Sequence, residues 1–202
     1  LDIGTSGIKV LAYTRDHRTL GSAYRKLSLT RKGNKATQDP GVVLDKIVEA
    51  IHEISSTHGP EIIAITISNA MHGLILINEY GNPLTPSIIW ADQRASQIAQ
   101  ALKATTWGDS FFKISGTPIH AMSPLTKIIW LKEHQTDLIN ETVCYVDIKS
   151  VLLHHLTGQW IIDYSTASAT GIFDTKRLMW SDEIINYLSI SQDQLPLPVS
   201  GT

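Results

Sequence analysis

The most restrictive stretch of this sequence is residues 39 to 77. Asp39-Pro40 places a capping carboxylate and a first-turn proline ahead of Val43, Ile47, Ile51 and Ile54, which recur on one helical face until Gly59-Pro60 stops the helix. Glu61-Ile-Ile-Ala-Ile-Thr-Ile67 then reads as a buried strand. Gly73-Leu-Ile-Leu-Ile77 reads as a second, closed by the turn residues Gly81-Asn82-Pro83. Strand, helix and strand in series predict an α/β sheet.

Before this unit, residues 8 to 13 and 20 to 29 read as strands joined across Asp16-His17-Arg18, giving an N-terminal meander of three strands. Its first turn, Leu-Asp-Ile-Gly-Thr-Ser-Gly-Ile-Lys at positions 1 to 9, carries phosphate-holding chemistry. Asp2 can organise a hydrated Mg²⁺, which needs only one or two protein carboxylates beside substrate phosphates. Gly4 and Gly7 leave room for backbone N–H groups to approach anionic oxygens, Thr5 and Ser6 add hydroxyl donors, and Lys9 adds a point charge. The same residues also suit an ordinary β-turn with polar tips.

After the central unit, Ala95, Ile98, Ala99 and Leu102 form a helical stripe. Ser123-Pro124 is an N-cap with proline at the first helical position, leading into Leu125, Ile128, Ile129 and Leu131. Asp147 caps a helix carrying Val151 and Leu152 that stops at Gly158, and Ser181-Asp182-Glu183 starts a last short helix.

Composition narrows the function classes. The 202 residues fit one large domain or one and a half small ones, and neither an internal repeat nor a domain boundary is visible. With net charge −2 and no Lys/Arg run longer than two residues, a nucleic-acid or acidic-membrane partner is disfavoured. Cys144, the single cysteine, excludes an intrachain disulfide; it reads as a small core residue in a reducing cytoplasm. No signal peptide or long apolar span supports secretion or membrane insertion. Leu1 enters the first turn with almost no strand before it and Leu195–Thr202 reads as a connection, so the chain is expected to be part of a longer protein.

Three constellations carry further chemistry. Ser68-Asn-Ala-Met-His-Gly73 follows a strand, where open α/β sheets place ligand-contacting residues. There His72 can exchange hydrogen bonds with a polyol, Met71 offers an adaptable apolar wall and Gly73 lets the backbone come close. Ile88-Ile-Trp90-Ala-Asp92-Gln-Arg94 sets an indole beside a carboxylate, an amide and a guanidinium, which suits stacking on sugar C–H surfaces with directional hydrogen bonds. Asp92 equally suits a cap for the helix that starts near Arg94. The third, Met122-Ser-Pro-Leu-Thr-Lys127-Ile-Ile-Trp130-Leu-Lys-Glu-His134, reads locally as a capped amphipathic helix with Lys127 on its solvated face and Trp130 in the core.

That third segment resembles the first signature of the FGGY family of carbohydrate kinases, and the resemblance extends over essentially all 202 residues. Asp2 to Thr5 is similar to the family's first phosphate motif, Thr37-Gln-Asp-Pro40 to the segment before its first long helix, and Met71-His72-Gly73 to its sugar-binding loop. Leu156-Thr-Gly158, Asp163-Tyr164-Ser165, Ala167-Ser168, Thr170-Gly171 and Phe173-Asp174 resemble its later helix-loop block. Within the family, Ala-Met-His-Gly, Trp-Ala-Asp-Gln-Arg and His120 to Lys127 are most similar to gluconate kinases, with xylulose kinases next.

The resemblance implies an actin-like, ribonuclease-H-like ATPase fold of two domains, of which this chain corresponds to most of the N-terminal one. It implies ATP and Mg²⁺ as cofactors, with Gly4, Thr5, Ser6 and Lys9 toward the ATP phosphates and Asp2 at the metal. Met71, His72, Trp90 and Asp92 would line the sugar site, with Met122 near its edge. The expected partners are a small sugar or sugar acid and the C-terminal domain of the same protein, and the resemblance leaves a homodimer open. The general-base aspartate is expected beyond Thr202, and neither Asp2 nor Asp92 fills that role by motif. A reading from another class is a non-enzymatic ATP-driven clamp of the same superfold, because a phosphate turn alone does not separate the two.

Overall fold

The computed structural model describes residues 1–59 and 62–201. It opens with β1 (Asp2–Ile3), β2 (Gly7–Tyr13), β3 (Thr19–Lys26), β4 (Thr30–Lys32), β5 (Lys35–Gln38) and α1 (Pro40–His58). The central part holds β6 (Ser68–Asn69), β7 (Ile75–Ile77), β8 (Ser87–Ile88), α2 (Ser96–Lys103), α3 (Thr106–Ser115), α4 (Pro124–His134) and α5 (Thr136–Asn140). It closes with β9 (Cys144–Val146), α6 (Ile148–Thr157), β10 (Ile161–Asp163), α7 (Tyr164–Ser168), β11 (Phe173–Asp174), β12 (Met179–Trp180), α8 (Asp182–Leu188) and β13 (Leu197–Val199). The fold is mixed α/β, as the strand–helix–strand series predicts.

The expected meander is present as β1–β2–β3, all antiparallel, and β6 joins its other edge parallel to β1. Helix α1 covers this sheet with Val43, Ile47, Ala50 and Ile54, while Ile51 is half-buried at the stripe's margin. The Asp39 carboxylate caps α1 by accepting from the N–H groups of Gly41 and Val42 at 2.9 and 3.1 Å. The helix ends at Gly59 as expected; Pro60 lies outside the described residues.

Strands β7 and β9 pair antiparallel and divide the interior into two cores. Their side chains alternate. Leu74, Leu76 and Tyr145 join one core with Phe111, Leu125, Ile128 and Trp180, whereas Ile75, Ile77, Cys144 and Val146 join the other with Ile3, Ile8, Val43 and Ile47. This double burial is why residues 74–77 are uninterrupted apolar sequence. Cys144 is a buried core residue.

Three expectations change. The run 61–67 does not form a buried strand: Ile62 to Thr66 are exposed, Ile63 at 75%; the Leu1 amino group donates to the Thr66 carbonyl at 2.9 Å, and the ladder itself starts at Ser68, beside Asp2. Among the described residues no strand lies alongside 62–66 to complete a ladder, and these side chains instead line an open apolar groove with Val10, Leu20 and Ile51. Glu61 lies outside the described residues. The strand expected over 20–29, β3, ends at Lys26, because the Leu27 N–H turns to the Ser6 carbonyl at 3.0 Å and its side chain enters the core.

Helix α4 is the third difference. Pro124 through Ile128 and Leu131 are all buried, so it has no solvated face at Lys127, whose side chain is fully enclosed. Trp130 is only partly buried and stacks on His134, their centroids 4.5 Å apart. Ser123 occupies the N-cap position, but its hydroxyl donates to the His120 carbonyl instead of capping. The caps at Asp147 and Ser181 and the stop at left-handed Gly158 form as predicted. No helix among the described residues is long and apolar enough to cross a membrane.

Candidate functional site

The N-terminal turn is a two-residue tip, Thr5-Ser6, closed by the Gly4 N–H donating to the Gly7 carbonyl at 3.0 Å. Asp2 stands opposite Lys9 and Ile3 opposite Ile8 in the β1–β2 register. Since residues directly across a ladder share a face and both isoleucines are buried, Asp2 and Lys9 project together on the exposed face. Gly7 has a different use from the one its sequence position suggests. A Cβ there would sit 2.3 Å from the Tyr24 hydroxyl oxygen, so the missing side chain makes room for the Tyr24 ring over the hairpin.

Two donors from the β4–β5–β8 sheet hold the tip. The buried Gln38 amide donates to the Thr5 carbonyl and the Trp90 indole N–H to the Thr5 hydroxyl, each at 2.9 Å. Register pairing of Gln38 with Ser87 brings the two donors together, Gln38 on β5 and Trp90 two residues beyond the end of β8. A small cleft results, lined by Gly4, Gln38, Ala70, Met71, Gly73 and Trp90. The phosphate-type turn and the two apolar walls read as sugar-facing therefore meet in one place. Met71 and Trp90 are 41% and 47% exposed, so their faces remain available for stacking.

His72 is half-buried and has left-handed backbone geometry, φ +66°, uncommon for a residue with a Cβ. Its Nδ1 lies 2.8 Å from the Ala169 carbonyl. A carbonyl only accepts, so Nδ1 carries the hydrogen and the neutral ring's Nε2 is an acceptor. Burial, followed by the positive neighbours Lys127 and His120, lowers the ring's pKa below 6.5 against the opposing effect of the Ala169 bond. Nε2 is thus an acceptor, and the ring lines the neighbouring pocket with Gly73, Pro124 and Thr170 rather than the cleft between Met71 and Trp90.

Asp92 is fully buried, and both its oxygens have protein partners. Arg94 grips it through Nε and Nη2 at 2.8 and 2.9 Å, the Arg94 N–H reaches it at 3.1 Å, and the Ala36 N–H donates at 2.7 Å. Burial raises its pKa, but these hydrogen bonds outweigh that and hold the carboxyl below the ordinary range. Its place is a clamp joining β5 to the Trp90 loop; it does not cap α2, whose N-cap position is held by Ala95 without a side-chain cap, and the carboxylate does not line the cleft. Met122 is half-buried in the turn before α4, where its N–H donates to His120 Nδ1 at 3.1 Å.

Sequence reasoning missed the groups that fix the loops. Asn69 donates to buried Asp147 at 2.7 Å and to the Ala70 carbonyl, holding the entry to Met71 and His72. Lys127 donates to the carbonyls of His72, Ile88 and Ile89 at 2.5, 2.9 and 3.1 Å. Burial draws the Lys127 pKa down to about 7, with Asp92 opposing and Arg94 adding to the shift. The only sequence signal for its burial was a lysine inside an otherwise apolar run, Ile128 and Ile129 following it. Among the described residues no cluster of three His, Cys, Asp or Glu side chains could form a protein-only metal cage.

The profile of the FGGY family of carbohydrate kinases, N-terminal domain, matches residues 1–202. The chain belongs to this family. Among curated FGGY relatives it is 33% identical to a gluconokinase of Bacillus subtilis across the whole chain, and 28% identical to a xylulose kinase of Staphylococcus xylosus over 97% of it. It spans about 40% of the length of these relatives. Crystal structures of a ligand-bound xylulose kinase and a gluconate kinase, both from Lactobacillus acidophilus, superpose with TM-score 0.94 at 31% identity. Each match covers 98% of this chain and 41% or 40% of the solved one. The architecture is thus that of an N-terminal domain of FGGY kinases.

Proposed function

We infer that this chain is the acceptor-binding and phosphate-binding part of an ATP-dependent carbohydrate kinase whose substrate is D-gluconate, phosphorylated to 6-phosphogluconate. The observation that carries the reading is the Trp90–Thr5 hydrogen bond at 2.9 Å, because it brings a stacking indole and a phosphate-type turn to one cleft. In support, the gluconokinase of Bacillus subtilis is 33% identical, against 28% for the xylulose kinase of Staphylococcus xylosus.

Phosphoryl transfer asks a protein mainly for positioning and charge stabilisation. Asp2 fits Mg²⁺ as a single exposed carboxylate at a strand end, since that ion retains waters and shares its shell with substrate phosphates. When bound, the ion would neutralise charge on the phosphate oxygens. Thr5, Ser6 and Lys9 would face the same phosphates, Lys9 from the strand position opposite Asp2. Trp90 and Met71 would pack on the sugar's C–H surface, and Nε2 of His72 would accept from a hydroxyl. The attacking hydroxyl's proton would pass to an aspartate expected outside this chain.

Xylulose is the second reading, favoured by the equal TM-score of 0.94 for the xylulose kinase and gluconate kinase of Lactobacillus acidophilus. Assaying the full-length protein with ATP and Mg²⁺ across gluconate, xylulose and glycerol tests both. Gluconate is expected to give the highest kcat/KM; xylulose equal or better would overturn the gluconate assignment, and no phosphorylation of any polyol would favour the ATP-driven clamp.

A further inference from the structure

We propose that Lys127 is the positioning residue of the acceptor site, its single nitrogen fixing the spacing between the loop that presents Met71 and His72 and the loop that presents Trp90. The proposal rests on the reading of this cleft as a polyol site. Three backbone carbonyls converge on Nζ, one from His72 and two from Ile88 and Ile89, just ahead of Trp90. An ammonium has three N–H donors on one atom, and no other side chain offers that geometry; the guanidinium of arginine spreads its donors in a plane.

The three acceptors do not depend on Lys127 equally. The Ile88 carbonyl also accepts from the Leu74 N–H and the Ile89 carbonyl from the Asp92 N–H, both at 3.1 Å, whereas among the described residues no other donor reaches the His72 carbonyl. Removing the ammonium therefore frees the His72 end, where the left-handed backbone is already strained. Burying a cation whose nearest carboxylate, Asp92, is committed to Arg94 is unfavourable, and its pKa of about 7 records that cost. Among the described residues, Asp92, Arg94 and His72 are the charged or titratable groups acting on it, with His120 beside His72. Loss of its proton leaves two donors for three carbonyls.

The test uses the full-length kinase with whichever polyol it phosphorylates. Lys127→Met, of similar length but without donors, should raise the sugar KM about tenfold or more while the ATP KM stays within about twofold. Lys127→Arg should not restore it. In the wild type, the sugar KM should rise as pH increases above about 7, with the ATP KM flat, and that alkaline rise should be missing in Lys127→Met. A folded Lys127→Met with unchanged sugar KM overturns the proposal, as does a rise in both KM values together. Should the variant fail to fold, a wild-type sugar KM that is flat above pH 7 overturns it alone. A wild type that phosphorylates no polyol removes the reading of the cleft and this inference with it, whereas an active enzyme failing the Lys127 tests removes only the inference.

Discussion

The indole N–H of Trp90 donates to the hydroxyl of Thr5 at 2.9 Å, joining residues 85 positions apart. An indole has no acceptor, so the Thr5 oxygen must accept and its own proton is directed elsewhere. The bond therefore fixes both the tilt of a stacking ring and the direction of a hydroxyl donor at the hairpin tip.

Trp90→Phe keeps an aromatic face and loses the N–H together with part of the ring's area. It and Thr5→Val should each cost about 1 kcal/mol, roughly fivefold in kcat/KM, and the double variant should be little worse than either. Steady-state kinetics on the four proteins of the cycle check this. Fully additive losses would show that the bond has no part in turnover.

Asp2→Ala should lower kcat on the order of a hundredfold or more while sugar affinity, measured by calorimetry, changes little. The carboxylate projects on the same exposed face as Lys9, apart from the apolar walls of the cleft. Near-normal turnover in folded protein would reduce the hairpin to a structural turn.

His72→Ala should weaken sugar affinity by about 1–3 kcal/mol, the consequence of leaving a substrate hydroxyl without its acceptor. Because the ring's pKa is lowered, the neutral acceptor form persists through 6.5, and the acid limb of sugar binding should fall below that pH, where protonated Nε2 becomes a donor. Sugar titrations across pH in wild type and variant decide the matter; an acid decline that survives in His72→Ala assigns it to another group.

Asp92→Asn should act on folding, because it leaves the nearly buried Arg94 guanidinium, 7% exposed, without its counter-charge. A loss of about 3–5 kcal/mol is expected in chemical denaturation. The sign of the pH effect follows from a carboxyl held below its ordinary value of 3.8: its stabilising contribution is present above that pH and is lost as pH falls through the lower, folded value. A stable Asp92→Asn protein with selectively weakened sugar binding would return Asp92 to the site.

Local sequence determined the elements whose causes are local. The stripe Val43–Ile47–Ile54 with its Asp39 cap, the left-handed stop at Gly158 and the caps at Asp147 and Ser181 depend on residues within a turn or two of one another. The motifs Asp2 to Thr5, Met71-His72-Gly73 and Trp90 to Arg94 likewise carried the family in their order along the chain. Tertiary structure decided the environments. Whether Ile62 to Thr66 pair depends on what lies beside them, and no periodicity encodes a neighbour. Asp92 and Lys127 are polar residues whose sequence position suits a surface cap or a solvated face; their burial is made tolerable by Arg94 together with the distant Ala36 N–H for one, and by the distant carbonyls of His72, Ile88 and Ile89 for the other. Buried polar groups are placed by complementary partners distant in sequence, which is why the chemistry was legible along the chain and the site's geometry was not.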